Sequence, residues 1–320
     1  MERLTAIAVC VLAVGFLSWA IFPPATAAQS PGAGAWTPWG DPDLQGVWVS
    51  IAAIGVPFER PEELGLRAVL TDEELAARNA AAAARVRPKL VPPAGWTRRR
   101  PSPPLASLII DPPNGRLPPM TDDGARRAEV WRTKAAGDYA HAGPEDLRPY
   151  DRCISRGVLG SQFPNIYASA FQILQTPGQV VIHHEMVHET RVIPLDGRPH
   201  IAAGIRQWMG DSRGGWEGDT LVVETTNSNG RTGSYARNGN GNPTSEALRL
   251  VERFRLGDGG TLEYEVRIED PLTWTRPWTV AFPLERDEDY DLYEYACHEA
   301  NYAVPNILSG VRAAERRAGP

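Results

Sequence analysis

The strongest constraint on this chain is the series of short β-type segments that fills its second half. Ala170 to Gln175, Val180 to Leu195, Ile205 to Met209, Thr220 to Thr225, Leu248 to Leu256, Thr261 to Glu269, Trp278 to Leu284 and Leu292 to Cys297 are apolar runs of strand length. Many of their residues are β-branched or aromatic, the types that fit a pleated surface. Turn sequences separate them, among them Pro177-Gly178, Asp196-Gly197, Trp216-Glu217-Gly218-Asp219 and Gly257-Asp258-Gly259-Gly260. Runs of this length at this spacing predict a mainly β protein, an antiparallel meander closed into a barrel or folded into a sandwich. The 30 glycines and 29 prolines in 320 residues favour turns over long helical bundles.

The first half reads differently. Asp43 to Val49 predicts one strand. Thr71-Asp72-Glu73-Glu74 has the form of a capping box, in which hydroxyl and carboxylate satisfy each other's backbone donors, and the alanine-rich run to about Arg87 follows as a helix. Pro88 ends it, and residues 88–119 are rich in proline around an extended segment, Leu105 to Ile110. Thr121-Asp122-Asp123 caps a second helix reaching about Ala136. The expected organisation is therefore an N-terminal arm with two helices over 29–150, an antiparallel β domain over 151–312 and a short tail over 313–320. The Asn- and Gly-rich stretch from Asn227 to Pro243 predicts a long exposed loop.

The N-terminus bears on compartment. Glu2 and Arg3 precede an apolar run from Leu4 to Phe22, which breaks at Pro23-Pro24 and ends in Ala25-Thr26-Ala27-Ala28. That order predicts a secretory signal peptide over 1–28 and a periplasmic or secreted mature protein; a retained membrane anchor is the alternative. With the leader goes Cys10, leaving Cys153 and Cys297, which form either one bridge or two separately buried thiols. The net charge of −6 argues against nucleic acid or an anionic membrane surface as partner.

Chemistry concentrates in two places. His184-Glu185-Met186-Val187-His188 matches the H-E-x-x-H string of zinc peptidases, which requires a helix so that both imidazoles face one ion. The β-branched neighbours Val180, Val181, Ile182, Val192 and Ile193 predict a strand, on which four residues span about 13 Å, too far for a shared metal. On a strand, His184, Met186 and His188 share one face and Glu185, Val187, Glu189 and Arg191 the other. Tyr293 to Tyr302 places His298 and Glu299 at the end of an aromatic segment. Gly210-Asp211-Ser212-Arg213-Gly214 matches G-x-S-x-G as a string, but a turn and not a helix follows the serine.

The runs Gln175-Thr176-Pro177-Gly178, Ile193-Pro194-Leu195-Asp196-Gly197-Arg198-Pro199-His200, Gly210-Asp211-Ser212-Arg213, Trp216-Glu217-Gly218-Asp219-Thr220-Leu221-Val222-Val223 and Tyr295-Ala296-Cys297-His298-Glu299 resemble a family of exported bacterial hypothetical proteins. The resemblance covers roughly residues 150–312 and brings no activity with it. Gly46-Val47-Trp48 is similar to the opening strand of lipocalin-like barrels.

Together these features predict an exported enzyme with an acid/base site in a barrel cavity and no cofactor or metal, performing lyase, isomerase or hydrolase chemistry on a small, partly apolar molecule. His188 is the expected base, Glu185 or Glu189 its partner, His298 and Glu299 a second acid/base pair, and Arg191 the stabiliser of a developing anion. A lipocalin-like barrel that binds an apolar ligand without turning it over is the alternative, and a zinc hydrolase through His184 and His188 a third.

Overall fold

Alternation along the strands sets the inside of the sheet. In Thr261–Glu269, residues Leu262, Tyr264, Val266 and Ile268 are each at most 1 % exposed, while Glu263 and Arg267 between them face solvent. The computed structural model describes residues 36–84, 101–136, 141–165, 170–233, 242–299 and 301–318. The expected leader and the last residues of the first expected helix lie outside them.

Ten strands form one antiparallel sheet: β1 Gly46–Val49, β2 Ile109–Asp111, β3 Ala170–Thr176, β4 Gln179–His184, β5 Thr190–Pro194, β6 Asp211–Glu217, β7 Thr220–Thr226, β8 Arg249–Leu256, β9 Thr261–Glu269 and β10 Trp278–Arg286. Nine of them follow the order β5-β4-β3-β1-β10-β9-β8-β7-β6. The two end strands, β5 and β6, come alongside each other and nearly close the sheet into a barrel. The glycines of β6 permit this approach, since a Cβ on Gly214 would sit 2.7 Å from Leu195 and 2.8 Å from Ile193. The expected barrel is therefore the fold.

The arm is built into this barrel. β1 pairs with both β3 and β10, seating Trp48 opposite Phe171 and Arg286, and β2 pairs with the other end of β10. The first helix, α1 Asp72–Ala84, begins at the expected capping box: the Thr71 N–H donates to Glu74 Oε2 at 2.9 Å and the Glu74 N–H to Thr71 Oγ1 at 3.3 Å. The second, α2 Asp122–Ala136, begins with the Gly124 N–H donating to Thr121 Oγ1 at 3.0 Å. It packs so closely on the turn after β9 that a Cβ on Gly124 would lie 2.4 Å from the Thr273 carbonyl oxygen. A short helix, α3 Gly157–Gln162, is buried throughout and adds Val158 and Leu159 to the core.

Several expectations are corrected. The long strand expected from Val180 to Leu195 is a hairpin, because Val187 and His188 adopt positive φ (58° and 44°) and turn the chain between β4 and β5. Ile205 to Met209 forms no strand; it lies in a loop touching the sheet through a single bridge from Gln207 to Ser228. Leu292 to Cys297 is likewise irregular, and Asp211 to Glu217, expected as a turn, is β6. The described part of the tail expected over 313–320, residues 313–318, belongs to a helix, α4 Ala303–Ala318. The start of the expected exposed loop is buried at Asn227 and Ser228, and Asn227 Nδ2 donates to the carbonyls of Ala202 and Ile205 at 3.0 and 2.9 Å; residues 234–241 are outside the described set.

Cys153 and Cys297 are bridged, with Cα atoms 5.5 Å apart. The bond ties the 287–302 segment to the loop before α3. Among the described residues no helix is long and apolar enough to cross a membrane.

Candidate functional site

Among the described residues the barrel interior is filled by a packed core. Ile173, Ile182, Leu221, Val223, Phe254, Val266 and Trp278 are fully buried and pack as one cluster, with Phe254, Tyr264 and Phe282 stacked at centroid distances of 5.0 and 5.2 Å. A cavity of about 10 Å³ lies between α3 and β7–β8, room for one water beside Thr225, Ser228 and Thr232. None of the expected site residues lines this cavity.

Arg191 belongs to this interior. Its guanidinium is 2 % exposed and meets the fully buried Glu252 carboxylate: Nη1 donates to Oε1 at 3.0 Å and Nη2 to Oε2. Nη2 also donates to Ser212 Oγ and Thr225 Oγ1, each at 3.2 Å, and the Tyr264 hydroxyl donates to Glu252 Oε1 at 3.1 Å. The expected anion stabiliser is a structural ion pair with no path to solvent. Ser212 shares a 2.8 Å hydrogen bond with Thr225 in the same network, so the G-x-S-x-G string supplies no nucleophile.

His184 also points inward. It is 1 % exposed, stacks on Phe171 at 5.5 Å, and neither ring nitrogen has a hydrogen-bond partner among the described residues. Burial, reinforced by the Arg191 cation, pushes its pKa down to about 3, so the ring is neutral. His188, past the turn, is exposed. The two histidines of the H-E-x-x-H string thus share no helix, one buried at the end of β4 and the other exposed in the turn, and the described residues contain no cluster of three or more ligands suited to a metal ion. The zinc hydrolase is corrected.

What remains of the predicted constellation converges at the hairpin turn. Glu185 is 1 % exposed and its Oε2 accepts a 2.6 Å hydrogen bond from the Tyr290 hydroxyl. Burial raises the Glu185 pKa above the usual carboxylate range, against the opposing Tyr290 bond, and burial with the adjacent carboxyl raises the Tyr290 phenol. His188 Nδ1 lies 3.1 Å from the Tyr295 carbonyl oxygen. A carbonyl only accepts, so the proton sits on Nδ1 and Nε2 carries the free lone pair. A β-branched valine at positive φ is a strained conformation, and such strain concentrates at functional turns. Here it brings Glu185 and His188, which an ideal strand would set on opposite faces, into one turn, the His188 N–H donating to the Glu185 carbonyl at 3.1 Å.

The other expected residues do not join this site. Glu189 is drawn into the wall by the Arg156 N–H at 3.2 Å and the Ser161 hydroxyl at 3.4 Å, and burial raises its pKa. His298 and Glu299 are exposed on the disulfide-tethered segment, with the Asn301 N–H donating to the His298 carbonyl. Tyr290 was missed because it lies between two predicted strands, six residues after Leu284 and two before Leu292; the aromatic run from Tyr290 to Tyr295 was the available signal. His200 is clamped between Asp211 at 2.7 Å and Glu224 at 3.5 Å on β6 and β7. Comparisons with protein-family models, curated proteins and solved structures find no match to this chain.

Proposed function

We propose that this is an exported enzyme that moves a proton on a small carbonyl compound at the outer turn between β4 and β5, in lyase or isomerase chemistry. The observation that carries the proposal is the buried Glu185 carboxyl bonded at 2.6 Å to the Tyr290 hydroxyl, with, in the same turn, a His188 whose Nδ1 is engaged by a backbone carbonyl. Burial raises the Glu185 pKa, against the opposing bond from Tyr290. The Glu185 carboxyl accepts the Tyr290 hydrogen and so fixes the phenol at the turn, where the ring positions the carbonyl compound for loss of a proton from the neighbouring carbon. His188 Nε2 is the base that takes the proton. Glu185 itself never touches substrate; it acts through Tyr290.

Export to the periplasm or medium is supported by the leader-like sequence over 1–28 and by the Cys153–Cys297 bridge, which persists in oxidising compartments.

The test is deuterium incorporation from D2O into a panel of small ketones, β-hydroxy acids and enol ethers, followed by NMR. The expected result is exchange on at least one compound that falls by about two to four orders of magnitude in H188A and in Y290F. No exchange above the buffer rate on any compound, or exchange surviving both substitutions, contradicts the proposal.

A further inference from the structure

A second place on the molecule is independent of the hairpin turn. A groove of about 430 Å³ runs between α2, the 145–152 turn, Trp208 and Arg231. Its volume falls within the range of small-molecule sites, about 300–1,000 Å³. Two tryptophans, Trp131 and Trp208, and four arginines, Arg127, Arg148, Arg152 and Arg231, line it. In a chain of net charge −6 this concentration of guanidinium does not follow from composition.

The arginines divide into two kinds. Arg127 is held by Asp123 and by the hydroxyl of Thr273, and Arg148 by Asp151 at 3.0 Å. Arg152 and Arg231 have no carboxylate partner among the described residues. The two acids that also line the groove are turned aside. Asp146 Oδ2 accepts the N–H groups of Ala142 and Gly143, and Glu145 folds back over Gly143, where a Cβ would lie 2.6 Å from its oxygens. The Trp131 indole N–H is buried and lacks an acceptor among the described residues. Flat aromatic walls, a spare indole donor and two unpaired guanidiniums are complementary to one class of molecule. Arginine binds carboxylate or phosphoryl oxygens in fork geometry, and tryptophan stacks on a flat apolar body.

We infer that this groove binds a small amphipathic anion, a flat apolar or aromatic body bearing one carboxylate or phosphoryl-type group, with Arg152 and Arg231 on the anionic end and Trp131 and Trp208 on the body. Because the chain has ten tryptophans, intrinsic fluorescence would not isolate the site. Calorimetry and ligand-observed NMR on the full mature protein do so, with naphthalene-2-carboxylate, naphthyl phosphate, naphthalene-2-carboxamide and inorganic phosphate as probes. Expected is saturable binding of the carboxylate or the phosphate ester below about 1 mM. The amide binds at least about tenfold more weakly, and R231Q and R152Q/R231Q each lose about ten- to a hundredfold in affinity. W208F, which keeps both guanidiniums, weakens the naphthyl probes without altering the response to inorganic phosphate. R231Q lies away from the disulfide, so its result stands even where the double variant fails to fold. The inference is overturned by an amide that binds as tightly as the acid, by inorganic phosphate matching the naphthyl probes, by R231Q leaving affinity unchanged, or by no binding at all.

Discussion

Neutralising Glu252 leaves the Arg191 guanidinium buried with no counter-charge, only the neutral amide and the hydroxyls of Ser212 and Thr225. The pair is 2 % and 0 % exposed, so water cannot replace the lost carboxylate. Breaking a buried pair from one side costs about 3–5 kcal/mol, the penalty of an uncompensated charge. E252Q and R191M are each expected to lose that amount. The double variant R191M/E252Q removes both charges, keeps a Gln carbonyl for the Tyr264 hydroxyl, and leaves Ser212 and Thr225 bonded to each other at 2.8 Å. It is expected to lose only about 1–2 kcal/mol, so the singles and the double are non-additive by at least about 4 kcal/mol. Equilibrium urea unfolding with the disulfide intact measures this, provided the denaturant slope stays constant across the four proteins. Single losses below about 1 kcal/mol, or a double loss equal to the sum of the singles, would refute the assignment of Arg191 to structure.

Three further outcomes follow from the same coordinates. A carboxyl whose native pKa is raised binds its proton more tightly folded than unfolded, so Glu185 costs stability as pH rises from about 4.3 through its native value. E185Q should flatten that limb of a melting-temperature profile, and an unchanged profile counts against it. For His184 the sign reverses: the native ring stays neutral to about 3, the unfolded ring protonates near 6.5, and stability falls as pH drops between the two. Its ring shifts in NMR should stay constant from about pH 8 to 4.5, and a midpoint within that range contradicts the burial argument. Alkylation followed by mass spectrometry should find no free thiol on Cys153 or Cys297 until reduction. C153S/C297S should lose about 2–5 kcal/mol, the chain-entropy model giving about 5 for a 144-residue separation, and unchanged stability rules out a bridge of that value.

The barrel was legible because its strands obey the period of two. β9 matches its expected limits, Thr261 to Glu269, and β7, β8 and β10 differ by one or two residues at an end, since each buries alternate apolar residues against a common core. β6 was hidden by Gly214 and Gly215, residues that signal turns in isolation, of which Gly214 here makes room for Ile193 of β5. The hairpin at Glu185 to His188 was hidden for the opposite reason: β-branched Val187 argues for extension, and only the packing of Met186 and Val187 against Tyr150 and Tyr295 holds it at positive φ. Burial of Arg191 was equally out of reach, because its partner Glu252 lies 61 residues away in a strand whose register no local pattern fixes. Of the expected site, Glu185 and His188 come together at one turn, while Glu189, Arg191, His298 and Glu299 are placed elsewhere by contacts of that long-range kind.

The central claim is that the barrel interior is a sealed core and that small molecules act on its outside. The direct measurement is a methyl- and aromatic-labelled NMR titration with palmitate and with the carbonyl panel. The account predicts that the signals of Ile173, Val223, Leu250 and Val266 stay fixed while those of Tyr290, His188 or the Trp131–Trp208 groove move. Saturable shifts centred on the four interior residues would contradict it and return the ligand to the inside of the barrel.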